Sequence, residues 1–301
     1  MKNVDGNIEN RRFIRQSKIF ANNNPYTLFV IGAGSVGSWF VLGASKMGFK
    51  NIVVLDYDKV EEHNITNQVY GRIHIGEYKV DALKKVVKDL VGVDIVGLKY
   101  KFDVDNLKFK HIKPLLNAFD VQANEDGMSW DGINYKFGSV FGEGIWVLAV
   151  DSHKVRKKVL DMVRLSYQYR NNFIHFIDMR VGGENYSVNR LLFSEKLGEM
   201  QTNPSSEDVE NGENYLQNYV NYTELLDMET SEESCGENTI IYSVMGVVAD
   251  ALEMCKSIVM RRVEKGNFDR DERINWEEYK TYDNIPHTIE KSCKSRRYFV
   301  K

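Results

Sequence analysis

A glycine run set between two short apolar runs limits the folds open to this chain more than any other feature in it. Leu28 to Ile31 leads into Gly32-Ala33-Gly34-Ser35-Val36-Gly37, a stretch of helical patterning follows, and a second apolar run, Ile52 to Leu55, stops at Asp56. These patterns predict strand, glycine turn, helix and strand in that order. The three glycines have separable roles. Gly32 permits the tight turn, Gly34 lets an anion approach the backbone, and Gly37 lets the helix lie close on the strand. The N–H groups of the first helical turn, from Ser35 and Val36 onward, then face an anion. Asp56, about 20 residues past the glycines, stands where a carboxylate accepts hydrogen bonds from ribose hydroxyls.

The unit predicts a Rossmann-like nucleotide site, and the rest of the chain alternates in the same way. A helix with apolar Val80, Leu83, Val86, Val87 and Leu90 leads to a third strand at roughly 94–102. Residues of about 103–144 break the alternation and read as an insertion, with an aromatic hairpin candidate at 130–137. The sheet resumes at 145–150 and ends at Asp151, followed by a helix near 154–170 and a strand at 173–177. Residues 185–193 alternate in and out, which predicts an antiparallel extension of the mostly parallel, doubly wound α/β sheet.

Four segments result: an N-terminal stretch (1–26), a nucleotide-binding core (27–193), an acidic loop (194–237), and a C-terminal part (238–301). The last opens with an apolar helix from Thr239 to about Met260. It continues through a possible edge strand near 273–282 to a basic cluster, Lys291, Lys294, Arg296 and Arg297.

A formal net charge of -3 shows no basic footprint for nucleic acid. No apolar run reaches bilayer length, and the N-terminus lacks the apolar core of a signal peptide, so a cytoplasmic chain without membrane attachment is expected. The three cysteines, Cys235, Cys255 and Cys293, lie too far apart for a CxxC zinc site and are odd in number, so they read as reduced thiols.

The polar residues at the strand ends are Asp56, Asp58, Asn64, Gln68, Lys79 and Asp151, with Arg15 upstream. Hydride transfer needs only the first of these for its nucleotide. A carboxylate attacking the α-phosphate of ATP brings two anions together and needs positive charge and a metal. Lys79 and Arg15 are the cationic donors, Asp151 is an oxygen ligand for Mg²⁺, and Asn64 and Gln68 are neutral donors to phosphate. Each has a plainer reading beside it. Asp58 caps or bends the connection, Lys79 is a solvated helix-start lysine, Asp151 is an N-cap, and Arg15 makes a surface salt bridge. Cys235, at a helix start after the acidic loop, is either a stabilised thiolate or a small packing residue; Cys255 reads as core.

Together GAGSVGSWF, LDYDKVEEHNITNQ, IGEYKVDAL and AVDS resemble the adenylating domain of the E1 superfamily, which includes the ubiquitin-like activating enzymes and the ThiF-type activators of sulfur-carrier proteins. The likeness covers roughly 10–100 and 145–260 and is nearest to a shorter bacterial and phage-type branch. It implies that the glycine loop and Asp56 bind ATP, that Lys79 and Asn64 act on its phosphates, and that Asp151 binds magnesium. It implies a homodimer in which an N-terminal arginine, here Arg15, reaches the partner subunit's site. It also implies a substrate, the C-terminal carboxylate of a small ubiquitin-like (β-grasp) protein or peptide, whose acyl group passes from the adenylate to a thioester on Cys235 or directly to an external acceptor. Many members carry arginine where this chain has Asn67, with Arg72 and Arg180 as candidates to replace it, and the paired CxxC zinc motifs of the carrier-protein activators are absent. Two rival expectations stand beside this one: an NAD-dependent oxidoreductase on the same fold, and an inactive partner-binding member.

Overall fold

The structure is a computed structural model that describes residues 12–20, 26–101, 144–157, 159, 174–182, 185–193, 240–264 and 288–292. Its centre is a seven-stranded sheet. Strand β1 (Thr27–Ile31) leads through the glycine turn into α1 (Ser35–Met47) and β2 (Ile52–Leu55). Helix α2 (Lys79–Val91) then returns the chain to β3 (Val96–Leu98). Beyond these lie β4 (Gly144–Leu148), β5 (Ile174–Gly182), β6 (Asn185–Phe193), α3 (Ile241–Glu264) and β7 (Thr288–Ser292).

The strand order is β3-β2-β1-β4-β5-β6-β7. The first five are parallel, and β6 and β7 add on antiparallel. The order reverses between β1 and β4, and at such a switch point the connections leave in opposite directions and open a crevice at the carboxyl ends of the strands. Apolar β-branched runs suit strands covered on both faces: every side chain of β2 and β4 is buried.

Helix α3 carries Val244, Val247, Val248, Ala251, Met254, Cys255, Ile258 and Val259 into the core at helical spacing. It packs on α1, β5 and β6. Cys255 is fully buried, and burial pushes its thiol well above the ordinary range, so it is a packing residue.

The strand expected at 145–150 is Gly144–Leu148, and two others differ further in length from the sequence expectation. β3 is three residues rather than the 94–102 run, because the chain turns sharply after Leu98, whose carbonyl accepts both Asp56 N–H (3.1 Å) and Tyr100 N–H (2.9 Å). β5 runs on to Gly182 because it pairs with β6 over nine positions, from Ile174↔Phe193 to Gly182↔Asn185. The edge strand is β7, at 288–292, whereas the 273–282 segment lies outside the described residues. So do all but the last residue of the 103–144 insertion, with its hairpin candidate, the acidic loop with Cys235, and Cys293. Among the described residues no helix is long and apolar enough to cross a membrane.

Candidate functional site

The glycine loop occupies the switch crevice, and its glycines differ in what surrounds them. Gly32 has φ +100°, and a Cβ there would lie 2.5 Å from the Ala149 carbonyl oxygen at the exit of β4. A Cβ on Gly37 would run into the Gly32 carbonyl, so α1 can approach β1 only because this residue has no side chain. A Cβ on Gly34 would meet nothing within 4 Å. That opening lies at the N-cap of α1, which has no side-chain cap and no acidic residue in its first turn. The N–H groups of Gly34, Ser35 and Val36 are therefore suited to an anion arriving from the crevice.

Asp56 directly follows β2, and its side chain turns back toward this loop. Its Oδ2 accepts the Ala33 N–H at 2.6 Å and its Oδ1 the Asp58 N–H at 2.8 Å. Burial raises its pKa, against the lowering effect of these two bonds and of Lys79. A carboxylate has about four lone-pair positions, so each oxygen keeps capacity for a hydroxyl donor. On the other side of Ala33, the Tyr70 hydroxyl donates to its carbonyl at 2.7 Å. Sequence reasoning missed Tyr70, since no motif spacing points to a tyrosine at that place.

The polar connection after β2 folds over the loop. Lys79, the first residue of α2, is 8% exposed and its Nζ lies 3.1 Å from Asp58 Oδ2. Its solvated reading is therefore excluded. Asn64 is buried, and its Oδ1 accepts the Glu61 N–H at 2.9 Å, an arrangement that fixes the amide so that its NH₂ is the donor end. The side-chain oxygens of Asn67 and Gln68 are buried without a hydrogen-bond partner among the described residues. Arg72 is exposed on a short 3-10 turn.

Asp151 follows β4 and is exposed, with no hydrogen bond or ion pair among the described residues. The helix that starts after it is capped by Ser152, whose Oγ accepts the Val155 N–H at 3.4 Å, so the N-cap reading of Asp151 does not hold. Tyr57 reports its proximity to the other acids: burial raises the phenol pKa first, and the charges of Asp58, Asp56 and Asp151 raise it further.

Arg180 is on β5, beyond the last residue paired with β4, and its Nε donates to Asp178 at 2.7 Å. The same fully buried carboxylate takes a second guanidinium, Arg156, which also donates to the Val150 carbonyl just before Asp151. The pair fixes the β4 exit to β5. Arg15 stands apart from all of this. The segment 12–20 docks at the other end of the helices, where Gln16 donates to the Lys46 carbonyl (2.8 Å) and Arg12 to the Val91 carbonyl (2.6 Å). The length of α1, about 20 Å, separates Arg15 from its own glycine loop.

A comparison with known families matches residues 16–123 to the model described as the ThiF family. Residues 16–123 belong to the ThiF family. The matched segment holds the glycine loop, Asp56, Asp58, Asn64, Gln68 and Lys79, and ends before β4 and Asp151. Over 71 residues the chain is 37% identical to the NEDD8-activating enzyme E1 catalytic subunit of Arabidopsis thaliana, a stretch that spans 23% of this chain and 16% of that protein. Among solved structures, PaaA matches with a TM-score of 0.50 at 16% identity, covering 86% of this chain and 76% of that one. MccB of E. coli, in a structure with AMPCPP and MccA, matches with a TM-score of 0.48 at 11% identity, covering 85% of this chain and 59% of that one. At 16% identity the likeness to PaaA is one of fold, a Rossmann-like sheet with antiparallel strands added to its parallel core.

Proposed function

We propose that this chain, whose residues 16–123 match the ThiF family, is an ATP-dependent adenylating enzyme acting on the C-terminal carboxylate of a small ubiquitin-like (β-grasp) protein or peptide. The observation that carries the reading is the pairing of a buried ammonium, Lys79, with Asp58 beside an uncapped helix N-terminus. A nicotinamide dinucleotide needs no such cation at the loop, whereas a triphosphate does. The glycine-loop N–H groups hold phosphate, Asp56 holds the ribose, and Lys79 with the amides of Asn64 and Gln68 takes charge from the phosphate oxygens. The substrate carboxylate attacks the α-phosphorus, the bond to the bridging oxygen breaks, and pyrophosphate leaves with an acyl-adenylate behind it.

Magnesium fits this donor set. Asp151 is an exposed hard oxygen ligand without a protein partner among the described residues, and Mg²⁺ commonly takes one or two carboxylates and completes its shell with phosphate and water. When bound it neutralises developing phosphate charge.

The chain works as a homodimer in this reading. Arg15 is exposed, flanked by outward-facing Ile14 (64% exposed) and Ile19 (61%), and too far from its own loop to act there. It serves the partner's site. The Cys235 thiolate attacks the acyl carbon of the adenylate, the bond from that carbon to the phosphate oxygen breaks, and AMP leaves as the thioester forms.

The test is pyrophosphate release from ATP and Mg²⁺ with β-grasp proteins of the same genome. Release that depends on the candidate's terminal carboxylate and vanishes in Asp151→Ala is expected, while Cys235→Ala retains release and loses the thioester. Tight NAD binding with no release for any candidate would overturn the reading.

A further inference from the structure

Ala33 lies between Gly32 and Gly34, is fully buried, and is held on both sides by residues outside the loop. Its N–H goes to Asp56 at 2.6 Å and its carbonyl takes the Tyr70 hydroxyl at 2.7 Å. Tyr70 is only 2% exposed. Burial, and after it the charge of Asp56, keep its phenol protonated well beyond the ordinary range, so it remains a donor. The segment that delivers Tyr70 is tied to α1 at two further points: the Trp39 indole N–H donates to the Asn67 carbonyl (3.0 Å), and the Val69 N–H donates to Ser38 Oγ (3.3 Å). His74 meets the Tyr70 ring edge-on at 6.4 Å while its Nδ1 accepts the Gly71 N–H at 3.0 Å.

We propose that Tyr70 is a positioning residue for the phosphate cradle, acting through the Ala33–Gly34 peptide. That peptide is planar and trans, so its carbonyl and its N–H point in opposite directions. Tyr70 holds the Ala33 carbonyl on the buried side, and the Gly34 N–H must then point away from that side, at a residue whose added Cβ would meet nothing within 4 Å. A glycine-alanine-glycine stretch has little preference of its own for that orientation. The direction has to be imposed from outside. The same hydrogen bond keeps the segment carrying Asn67 and Gln68 in register with the loop. The assignment rests on the adenylation reading for the identity of the anion.

The experiment is Tyr70→Phe, which keeps the ring and removes only the donor. ATP binding is expected to weaken about tenfold, the effect of leaving a buried acceptor unsatisfied, while adenosine, which has no phosphate, stays within about twofold of wild type. A purely structural role would move both ligands together. Deuterium exchange of the ligand-free protein supplies a second readout, and the peptide spanning 32–38 is expected to exchange faster in the variant. Unchanged ATP affinity, or an equal loss for adenosine, would overturn the assignment. If the wild type itself binds no ATP, the adenylation reading falls, and the exchange rate alone then decides the clamp: faster exchange upholds it and unchanged exchange removes it.

Discussion

Lys79 and Asp58 meet twice: the Lys79 Nζ lies 3.1 Å from the Asp58 carboxylate, and the Lys79 N–H donates to the Asp58 carbonyl at 2.9 Å. The second bond fixes the start of α2 whatever the side chains do, so the first serves to aim the ammonium. Lys79→Met is expected to lower ATP–pyrophosphate exchange by about 100-fold or more, the scale of removing one charge-stabilising donor. Asp58→Asn keeps the backbone bond and should lose about tenfold, with a stability change below about 1 kcal/mol because Asp58 is half exposed. An exchange assay beside a denaturant melt separates the two effects.

Gly32 and Gly34 should respond in opposite ways to the same added methyl group. Gly32→Ala forces a Cβ against the Ala149 carbonyl at a φ that only glycine favours, and is expected to cost about 2–4 kcal/mol in a denaturant melt. Gly34→Ala meets no atom of the protein and should fold normally, yet lose ATP affinity because the methyl occupies the anion's approach. Equal melting midpoints for the two variants would contradict this assignment.

The Asp56 carboxyl has its pKa raised by burial. Its folded-state pKa thus exceeds the unfolded value, so the folded chain binds the proton more tightly and the contribution of Asp56 to stability declines as pH rises through that window. Wild type should therefore gain stability relative to Asp56→Asn as pH falls from neutral into the raised range. Nucleotide affinity runs the other way, because the ribose needs the ionised acceptor, and should be lost at a higher pH than an ordinary carboxylate near 3.9 would give. Paired melts and binding titrations across pH check both signs.

Asp178 holds the guanidinium groups of Arg156 and Arg180 in the interior. Asp178→Ala strands two buried cations and is expected to cost about 3–5 kcal/mol. The loss should be visible as a lowered denaturation midpoint.

If Arg15 serves the partner's site, two inactive chains should complement one another. Arg15→Ala keeps its own Lys79, and Lys79→Met keeps the arginine to lend. Mixed after co-refolding, they should recover part of the exchange activity that each lacks alone. No recovery in a mixed dimer would place Arg15 outside the reaction.

Much of the fold was legible in the chain, because local rules govern it. The run from Thr27 to Asp56 obeys the turn and packing requirements of glycine at fixed spacing, and β1, α1 and β2 follow from it. The antiparallel 185–193 strand was readable from its alternation, and the burial of Cys255 from the apolar periodicity of α3. The length of β3 was not, since it ends at a turn bonded to β2 rather than at a change of composition.

Which residues carry charge, and in what order, can be read from the chain alone: Asp56, Asp58 and Lys79 on one side of the switch point, Asp151 on the other. Their partners come from the packing of the folded chain. It gave Lys79 to Asp58, assigned the helix cap to Ser152 instead of Asp151, brought Tyr70 to Ala33, and set Arg15 at the far end of α1. Glycine turns and periodic burial act over a few neighbouring residues. Which donor meets which acceptor across 20 to 40 residues of chain depends on how strands and helices pack, a choice that no local pattern encodes.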